Sequence, residues 1–103
     1  MTVEFNVKIS ERARASLHAL LASLEKADPG KALNEKNNIV GEIRTLSSMP
    51  GRFPYLDADT IPRYRYRKMV MGKYYIVLYQ IRDRTVYVEY IFDSRQDYFW
   101  MIR

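Results

Sequence analysis

The sequence has no cysteine among its 103 residues. Disulfide frameworks and thiolate metal sites are therefore excluded, and the composition is compatible with the reducing cytoplasm, where we expect this protein to be located. No run of about 18 apolar residues is present, so the sequence predicts no membrane span and no membrane partner. Hydrophobic residues make up 48% of the chain, and its length fits a single domain over residues 1–103.

Histidine is scarce, and acidic residues are missing from one long segment. His18 is the only histidine, and it falls in a predicted helix far in sequence from the basic cluster of residues 63–82, so we interpret it as a surface or boundary residue and not a catalytic one. No acid lies between Asp59 and Asp83. The basic residues of that segment are Arg63, Arg65, Arg67, Lys68, Lys73 and Arg82. This local excess indicates a polyanion or an acidic protein as partner, or alternatively only a solvated basic surface.

The N-terminal half of the sequence predicts one strand and two helices. Apolar and polar residues alternate over residues 3–9, which predicts a half-buried strand. Residues 11–27 have an apolar stripe of helical spacing after a potential cap at Ser10. Asp28-Pro29-Gly30 ends this helix and can begin a second one, which extends to about Leu46. The short break between the two predicts an antiparallel helical hairpin.

The C-terminal half predicts a loop followed by three strands. Two prolines and a glycine in MPGRFP, from Met49 to Pro54, indicate a loop that continues to Pro62. Strands are predicted over about residues 64–71, 74–81 and 85–92, and their short connecting turns make neighbours antiparallel. The middle strand is apolar on both faces, as expected at the centre of a sheet. The expected architecture is therefore α+β, with both helices on one face of a sheet of about four strands.

Four motifs follow one another along the chain: RARASLHALLASL, LSSMPGRFP, YRKMVMGKYYIVLYQI and VEYIFDSRQDY. Their order and spacing resemble those of the RelE/ParE superfamily, the bacterial toxins of type II toxin–antitoxin systems. The resemblance covers almost the whole chain and implies a RelE-like fold and a small toxin that a co-expressed antitoxin keeps inactive. Some members of this superfamily cut mRNA in the ribosomal A site, and others poison DNA gyrase without cutting anything themselves. The sequence shows no metal-ligand cluster and no cofactor motif.

The segment after the last predicted strand supplies two candidate catalytic residues. Arg95 aligns with an arginine of the mRNA-cleaving members, and a guanidinium offers forked donors to phosphate. The alternative is an ion pair with Asp93 or Asp97 that only fastens this segment. Tyr98 can serve as an acid or stack on a splayed base, whereas Trp100 and its neighbours are expected to pack against the sheet or the helices.

Arg67 is the third candidate catalytic residue. Candidate substrate-binding residues are Arg65, Lys68 and Lys73. Alternation along a strand places Arg65 and Arg67 on one face within about 7 Å of each other, with Lys68 on the opposite face. Two guanidinium groups so placed suit a nucleic-acid backbone. The alternative is cross-strand pairing of these arginines with Glu89 or Asp83.

One position departs from the pattern of the mRNA-cleaving members. Many of them have an arginine after the tyrosine that opens the central strand, whereas this sequence has Tyr75 after Tyr74. A phosphate ligand is then missing, or Lys73 or Arg67 replaces it. The leading expectation is a ribosome-dependent endoribonuclease that inhibits translation. Tyr75 favours the two alternatives, which are a gyrase poison acting by protein binding and a degenerate, non-toxic homologue.

A cognate antitoxin is the partner that the resemblance implies. A basic, aromatic-rich face matches an acidic amphipathic segment that folds on binding. Such a segment is expected to cover Arg67 and Arg95 or to add a strand at the sheet edge. The expected target is the ribosome with its mRNA or, in the alternative, DNA gyrase.

Overall fold

The computed structural model describes residues 4–58, 61–72, 74–96 and 102. In chain order, these residues form strand β1 (Asn6–Ile9), helices α1 (Glu11–Ala27) and α2 (Pro29–Arg44), and strands β2 (Arg67–Met71), β3 (Tyr75–Arg82) and β4 (Thr85–Asp93). Two short 3₁₀ helices, Thr45–Ser47 and Pro50–Arg52, lie between α2 and β2. The predicted order of one strand, two helices and three strands is confirmed. None of the described helices has the length and apolar character needed to cross a membrane.

The strands form one mixed sheet of four in the order β1-β4-β3-β2. β3 pairs antiparallel with both β2 and β4, which confirms the predicted meander of three strands. β1 lies parallel to β4, with Val7 opposite Val86. The first strand therefore joins the far side of the meander, and β1 and β2 form the two edges.

Two polar side chains set the ends of the helices, as the sequence predicts. The Ser10 hydroxyl accepts from the Ala13 N–H at 3.0 Å and so caps the start of α1. The Asp28 carboxylate accepts from the Lys31 N–H at 3.1 Å at the start of α2. The Asp28 N–H also donates to the Leu24 carbonyl at 2.7 Å, so one residue ends α1 and begins α2. This shared cap explains why the hairpin needs no longer connection.

One face of the sheet packs against both helices. Buried residues from the helices and this face are Ala13, Leu17, Leu21, Ile39, Ile43, Met69, Val77, Tyr79, Val86, Val88 and Ile91. Each fully buried side chain of the size of Leu or Val stabilises the fold by about 1.5–3 kcal/mol. The buried Tyr79 hydroxyl donates to the carbonyl of Pro50, so its polar end is satisfied. The predicted packing of both helices on one face is confirmed.

The other face of the sheet is covered as well, which the sequence did not predict. A second cluster of buried residues, the aromatic cluster, contains Leu56, Ile61, Tyr66, Ile76, Leu78, Tyr90 and Phe92. The Tyr90 and Phe92 rings are stacked with centres 5.2 Å apart, and Tyr66 meets Tyr90 edge-on at 5.8 Å. Leu56 and Ile61, from the segment predicted as a loop, therefore pack over this face of the sheet.

A β-bulge at Glu89 determines which side chains of β4 face which core. The pairing of β3 with β4 shifts between Leu78 and Tyr79, which leaves Glu89 as an extra residue of β4. Val88, before the bulge, faces the helices, whereas Tyr90, after it, faces the aromatic cluster. A regular strand would place Val88 and Tyr90 on the same face, because side chains alternate.

The beginning of α1 holds this bulge in place. The Ser10 N–H donates to the Val88 carbonyl at 2.9 Å, and the Ser10 hydroxyl donates to the Glu89 carbonyl at 3.1 Å. The Arg12 guanidinium pairs with the Glu89 carboxylate at 3.5 Å and lies 4.0 Å from the Tyr90 ring centre. The carbonyl of the extra residue Glu89 is thus bonded to the residue that caps the helix.

The prediction that Arg65 and Arg67 share one strand face is wrong, because β2 begins only at Arg67. Arg65 belongs to a preceding turn, in which its N–H donates to the Pro62 carbonyl at 3.3 Å. Tyr64 in that turn has a left-handed backbone with φ of 64°. Strand alternation does not apply to such a turn. Lys68 and Arg67 are consecutive in β2 and do point to opposite faces.

The dual role of Ser10 predicts a marked effect of Ser10→Ala. This change removes the helix cap and the bond to the bulge, so we expect the free energy of unfolding to fall by about 1–2 kcal/mol. Urea denaturation followed by circular dichroism measures this difference. Ser23→Ala is the matched control, because Ser23 is exposed in the middle of α1, where alanine is the better helix former. Equal stability of the two variants would contradict the assignment.

Candidate functional site

Arg95 lies in the turn after β4, where Asp93 binds it through three hydrogen bonds. The Arg95 Nε and Nη2 atoms are 3.0 Å and 2.6 Å from the two carboxylate oxygens, and the Arg95 N–H donates to Oδ1 at 2.9 Å. Its Cζ atom also lies 4.0 Å from the Tyr74 ring centre. Bonding to Arg95 lowers the pKa of Asp93, and the same bonding raises the pKa of Arg95. We call this arrangement of Asp93, Arg95 and Tyr74 the arginine clasp.

Among the described residues, Arg67 is held by backbone carbonyls and not by a carboxylate. Its Nη1 atom donates to the Phe53 carbonyl at 2.7 Å and to the Gly51 carbonyl at 3.2 Å. Its Cζ atom lies 4.0 Å from the Tyr55 ring centre. Glu89, one of the predicted partners, binds Arg12 instead. Arg67 therefore fastens the segment that leads from the second 3₁₀ helix to β2.

The two candidate arginines are anchored at different positions along β3, one at its start and one near its middle. Arg67 pairs with Tyr79, and Asp93, which holds Arg95, pairs with Tyr75. Four residues of a strand separate these positions by about 13 Å. The structure therefore does not assemble Arg67 and Arg95 into one pair of adjacent cations.

Tyr75, at the position where many mRNA-cleaving members have arginine, links the sheet to α2. Its hydroxyl donates to the Glu35 carboxylate at 2.6 Å. Burial, followed by this hydrogen bond and the charges of Glu35 and Asp93, raises the pKa of Tyr75 to about 12, against a weaker opposing effect of Arg95. The phenol is therefore neutral at physiological pH. Sequence reasoning missed Glu35 because its place on α2 shows no pattern that points to a strand 40 residues away.

The remaining candidates occupy different surroundings. Arg65 is exposed, and its Cζ atom lies 5.4 Å from the ring centre of Tyr66. Lys68 is half-buried opposite Leu78, on the face of the aromatic cluster. Tyr98 and Lys73 lie outside the described residues. Their predicted roles, like those of Arg65, Lys68, Arg67 and Arg95, stay predictions.

His18 lies on the exposed side of α1, as expected. It borders an open groove of about 460 Å³ between the two helices and the edge of the sheet. Apolar side chains line much of this groove, among them Leu17, Leu33 and Val40, and Glu25 is the one carboxylate among its lining residues. Within the part of the chain that the structure describes, His18 forms no ion pair with an acid.

The four-stranded sheet with the helical hairpin on one face is the fold expected for the RelE/ParE superfamily. Residues 7–98 match the family described as "ParE toxin of type II toxin-antitoxin system, parDE". The chain therefore belongs to the ParE toxin family, which confirms the resemblance seen in its four motifs. It is a toxin of a type II toxin–antitoxin system.

A solved structure supports the same fold. The chain is similar to one described as "Chromosomal ParDE TA system from P. aeruginosa", with a TM-score of 0.73 and 16% sequence identity. The similarity covers 89% of this chain and 98% of that chain. At this identity the likeness shows the fold alone. No curated protein matches the sequence at a significant level.

The raised pKa of Tyr75 predicts how stability depends on pH. The folded protein holds the phenolic proton more tightly than the unfolded chain, so this stabilisation is complete below pH 10 and is lost as the pH rises towards about 12. We expect Tyr75→Phe to lose less stability than the wild type over that range. Urea denaturation midpoints of the wild type and Tyr75→Phe, measured at pH 10 and near pH 12, test this.

Glu35→Gln is the companion variant, because it removes the carboxylate charge but keeps an acceptor for the Tyr75 hydroxyl. We expect its loss of stability over the same pH range to lie between those of the wild type and Tyr75→Phe. Identical pH dependence of all three proteins would show that the Tyr75–Glu35 contact does not form in solution.

Proposed function

We propose that this toxin acts by binding a protein, DNA gyrase, and not by cutting RNA. The observation that supports this proposal is that Arg67 and Arg95 each already use part of their guanidinium donors inside the chain, Nη1 in Arg67 and Nε and Nη2 in Arg95. Ribonucleases of this superfamily that lack a catalytic histidine rely on such groups to grip the phosphate. ParE-type gyrase poisons need no phosphate site of their own, because gyrase supplies the DNA-cleaving chemistry.

The arginine clasp is poorly suited to a phosphodiester. A phosphate that approaches Arg95 meets the Asp93 carboxylate, whose oxygen is 2.6 Å from Nη2 and repels a second anion. Release of Arg95 from Asp93 would leave a carboxylate whose side chain is only 12% exposed without its main partner. Release of Arg67 would free the Gly51 and Phe53 carbonyls in the same way. Substrate would therefore have to compete with contacts that also order the fold.

RNA cleavage also requires proton transfer, and the described residues are poorly suited to it. A general base works best when its pKa lies near the working pH, and the pKa of Tyr75 lies at about 12. His18 borders the helical groove, apart from Arg67 and from the clasp. Tyr98, outside the described residues, remains the predicted proton donor on which RNA cleavage depends.

The decisive experiment measures DNA and RNA damage side by side. We expect the purified toxin to increase the linear DNA that gyrase forms from supercoiled plasmid, and we expect heat-denatured toxin to have no effect. Primer extension on RNA from cells that express the toxin alone should show transcripts that are intact inside their codons. Cuts inside translated codons, without added gyrase-dependent DNA breaks, would overturn the proposal. A folded toxin that produces neither change would be the degenerate homologue and would overturn it as well.

We also propose that a cognate antitoxin neutralises the toxin through an acidic segment. The formal net charge of +5 and the acid-free segment between Asp59 and Asp83 favour such a partner. Opposite charges that meet at an exposed surface are screened by salt. The affinity for the co-expressed antitoxin should therefore fall as ionic strength rises, and an affinity that is independent of salt would contradict an electrostatic interface.

A further inference from the structure

Two exposed tyrosines and an arginine form a continuous surface beside the start of β2. The rings of Tyr55 and Tyr64 meet edge to face, with centres 5.1 Å apart and planes at 81°. Tyr64 is 69% exposed and Tyr55 is 40% exposed. The Arg67 guanidinium lies 4.0 Å from the Tyr55 ring centre, and its bonds to two carbonyls hold it there. We call this surface the tyrosine patch.

The backbone at Tyr64 is unfavourable for a bulky side chain. Tyr64 is the third residue of the turn that the Arg65 N–H closes on the Pro62 carbonyl, and its φ is 64°. Glycine or asparagine is preferred at this turn position, because positive φ crowds a Cβ atom. The Tyr64 ring is mostly in solvent, so burial contributes little to offset this strain. Strain of this kind at an exposed aromatic residue points to a role in binding.

Cations flank the patch on the same turn. Arg63 and Arg65 precede and follow Tyr64, and both are exposed. The ion pairs found within the described part of the chain are Arg12–Glu89 and Arg95–Asp93, so neither Arg63 nor Arg65 is neutralised there. The patch therefore combines one mostly exposed aromatic ring, that of Tyr64, with positive charge that no described carboxylate neutralises.

We propose that the tyrosine patch binds single-stranded nucleic acid. An unstacked base can lie on the Tyr64 ring, while Arg63 and Arg65 contact the adjacent phosphates and Arg67 keeps Tyr55 in position. A duplex offers its phosphates but keeps its bases stacked, so it cannot use the rings. An acidic peptide can use the cations but does not need an aromatic ring at a strained turn position. This inference goes beyond the proposed gyrase contact and stands without it.

Fluorescence anisotropy with a labelled oligothymidylate tests the proposal on the full chain, with no gyrase or ribosome present. We expect the single strand to bind more tightly than a duplex of equal length, and we expect polyglutamate to compete poorly. Any one of three results would overturn the proposal. These are no binding of the single strand, equal or tighter binding of the duplex, and displacement of the single strand by polyglutamate at equal charge. The last result would assign the patch to an acidic protein.

Tyr64→Gly is the critical variant, because it removes the ring and also relieves the positive φ, so the protein should keep its thermal midpoint. Loss of one stacking contact should weaken oligothymidylate binding by about tenfold. Tyr64→Phe keeps the ring and should bind like the wild type.

Tyr74→Ala is the matched control, since Tyr74 is 42% exposed and also lies beside an arginine, but in the clasp. It should leave oligothymidylate binding unchanged. Wild-type affinity of Tyr64→Gly, or an equal loss in Tyr74→Ala, would show that the tyrosine patch is not the binding site.

Discussion

The bulge at Glu89 is the constraint on which the rest of this structure depends. It allows one strand to place Val88 beneath the helices and Tyr90 in the aromatic cluster, so a sheet of four strands acquires a core on each face. Ser10, which begins α1, bonds to the bulge and thereby ties the helical hairpin to the strand. Because pairing resumes after the bulge, Asp93 lies opposite Tyr75 at the end of the sheet, where it binds Arg95.

The same geometry bears on the proposed mode of action. Arg95 aligns with an arginine of the mRNA-cleaving members, and Arg67 is the other arginine predicted to contact phosphate, yet each is held by acceptors from the chain itself. Tyr75, in place of a further arginine, joins the sheet to α2. These contacts occupy donors that the predicted ribonuclease site would need for phosphate. A fold shared by toxins of different targets does not choose among them, and these local contacts favour a toxin that works through protein binding.

Local sequence patterns predicted the helices and strands well. Contacts between residues far apart in the sequence could not be predicted. Ser10 and Asp28 are caps whose partners lie within three residues, so their effect is visible in the sequence. The bulge is not visible, because alternation in TVYVEYIF fits a regular strand equally well. Arg67 binds backbone carbonyls, which every residue carries and no sequence pattern marks. The clasp was one of two alternatives that the spacing of Asp93 and Arg95 left open.

Side-chain NMR of the free, ¹⁵N-labelled toxin tests most directly whether acceptors of the chain hold the guanidinium groups of Arg67 and Arg95. Hydrogen exchange at Nε and rotation about the Cζ–Nε bond are both slow when an acceptor holds a guanidinium. We predict slow exchange and slow rotation for Arg95, slow rotation for Arg67, and fast behaviour for the exposed Arg63 in the same spectra. If Arg67 and Arg95 rotated as freely as Arg63, both would be available to a phosphate, and the case for a binding toxin over a ribonuclease would lose its basis.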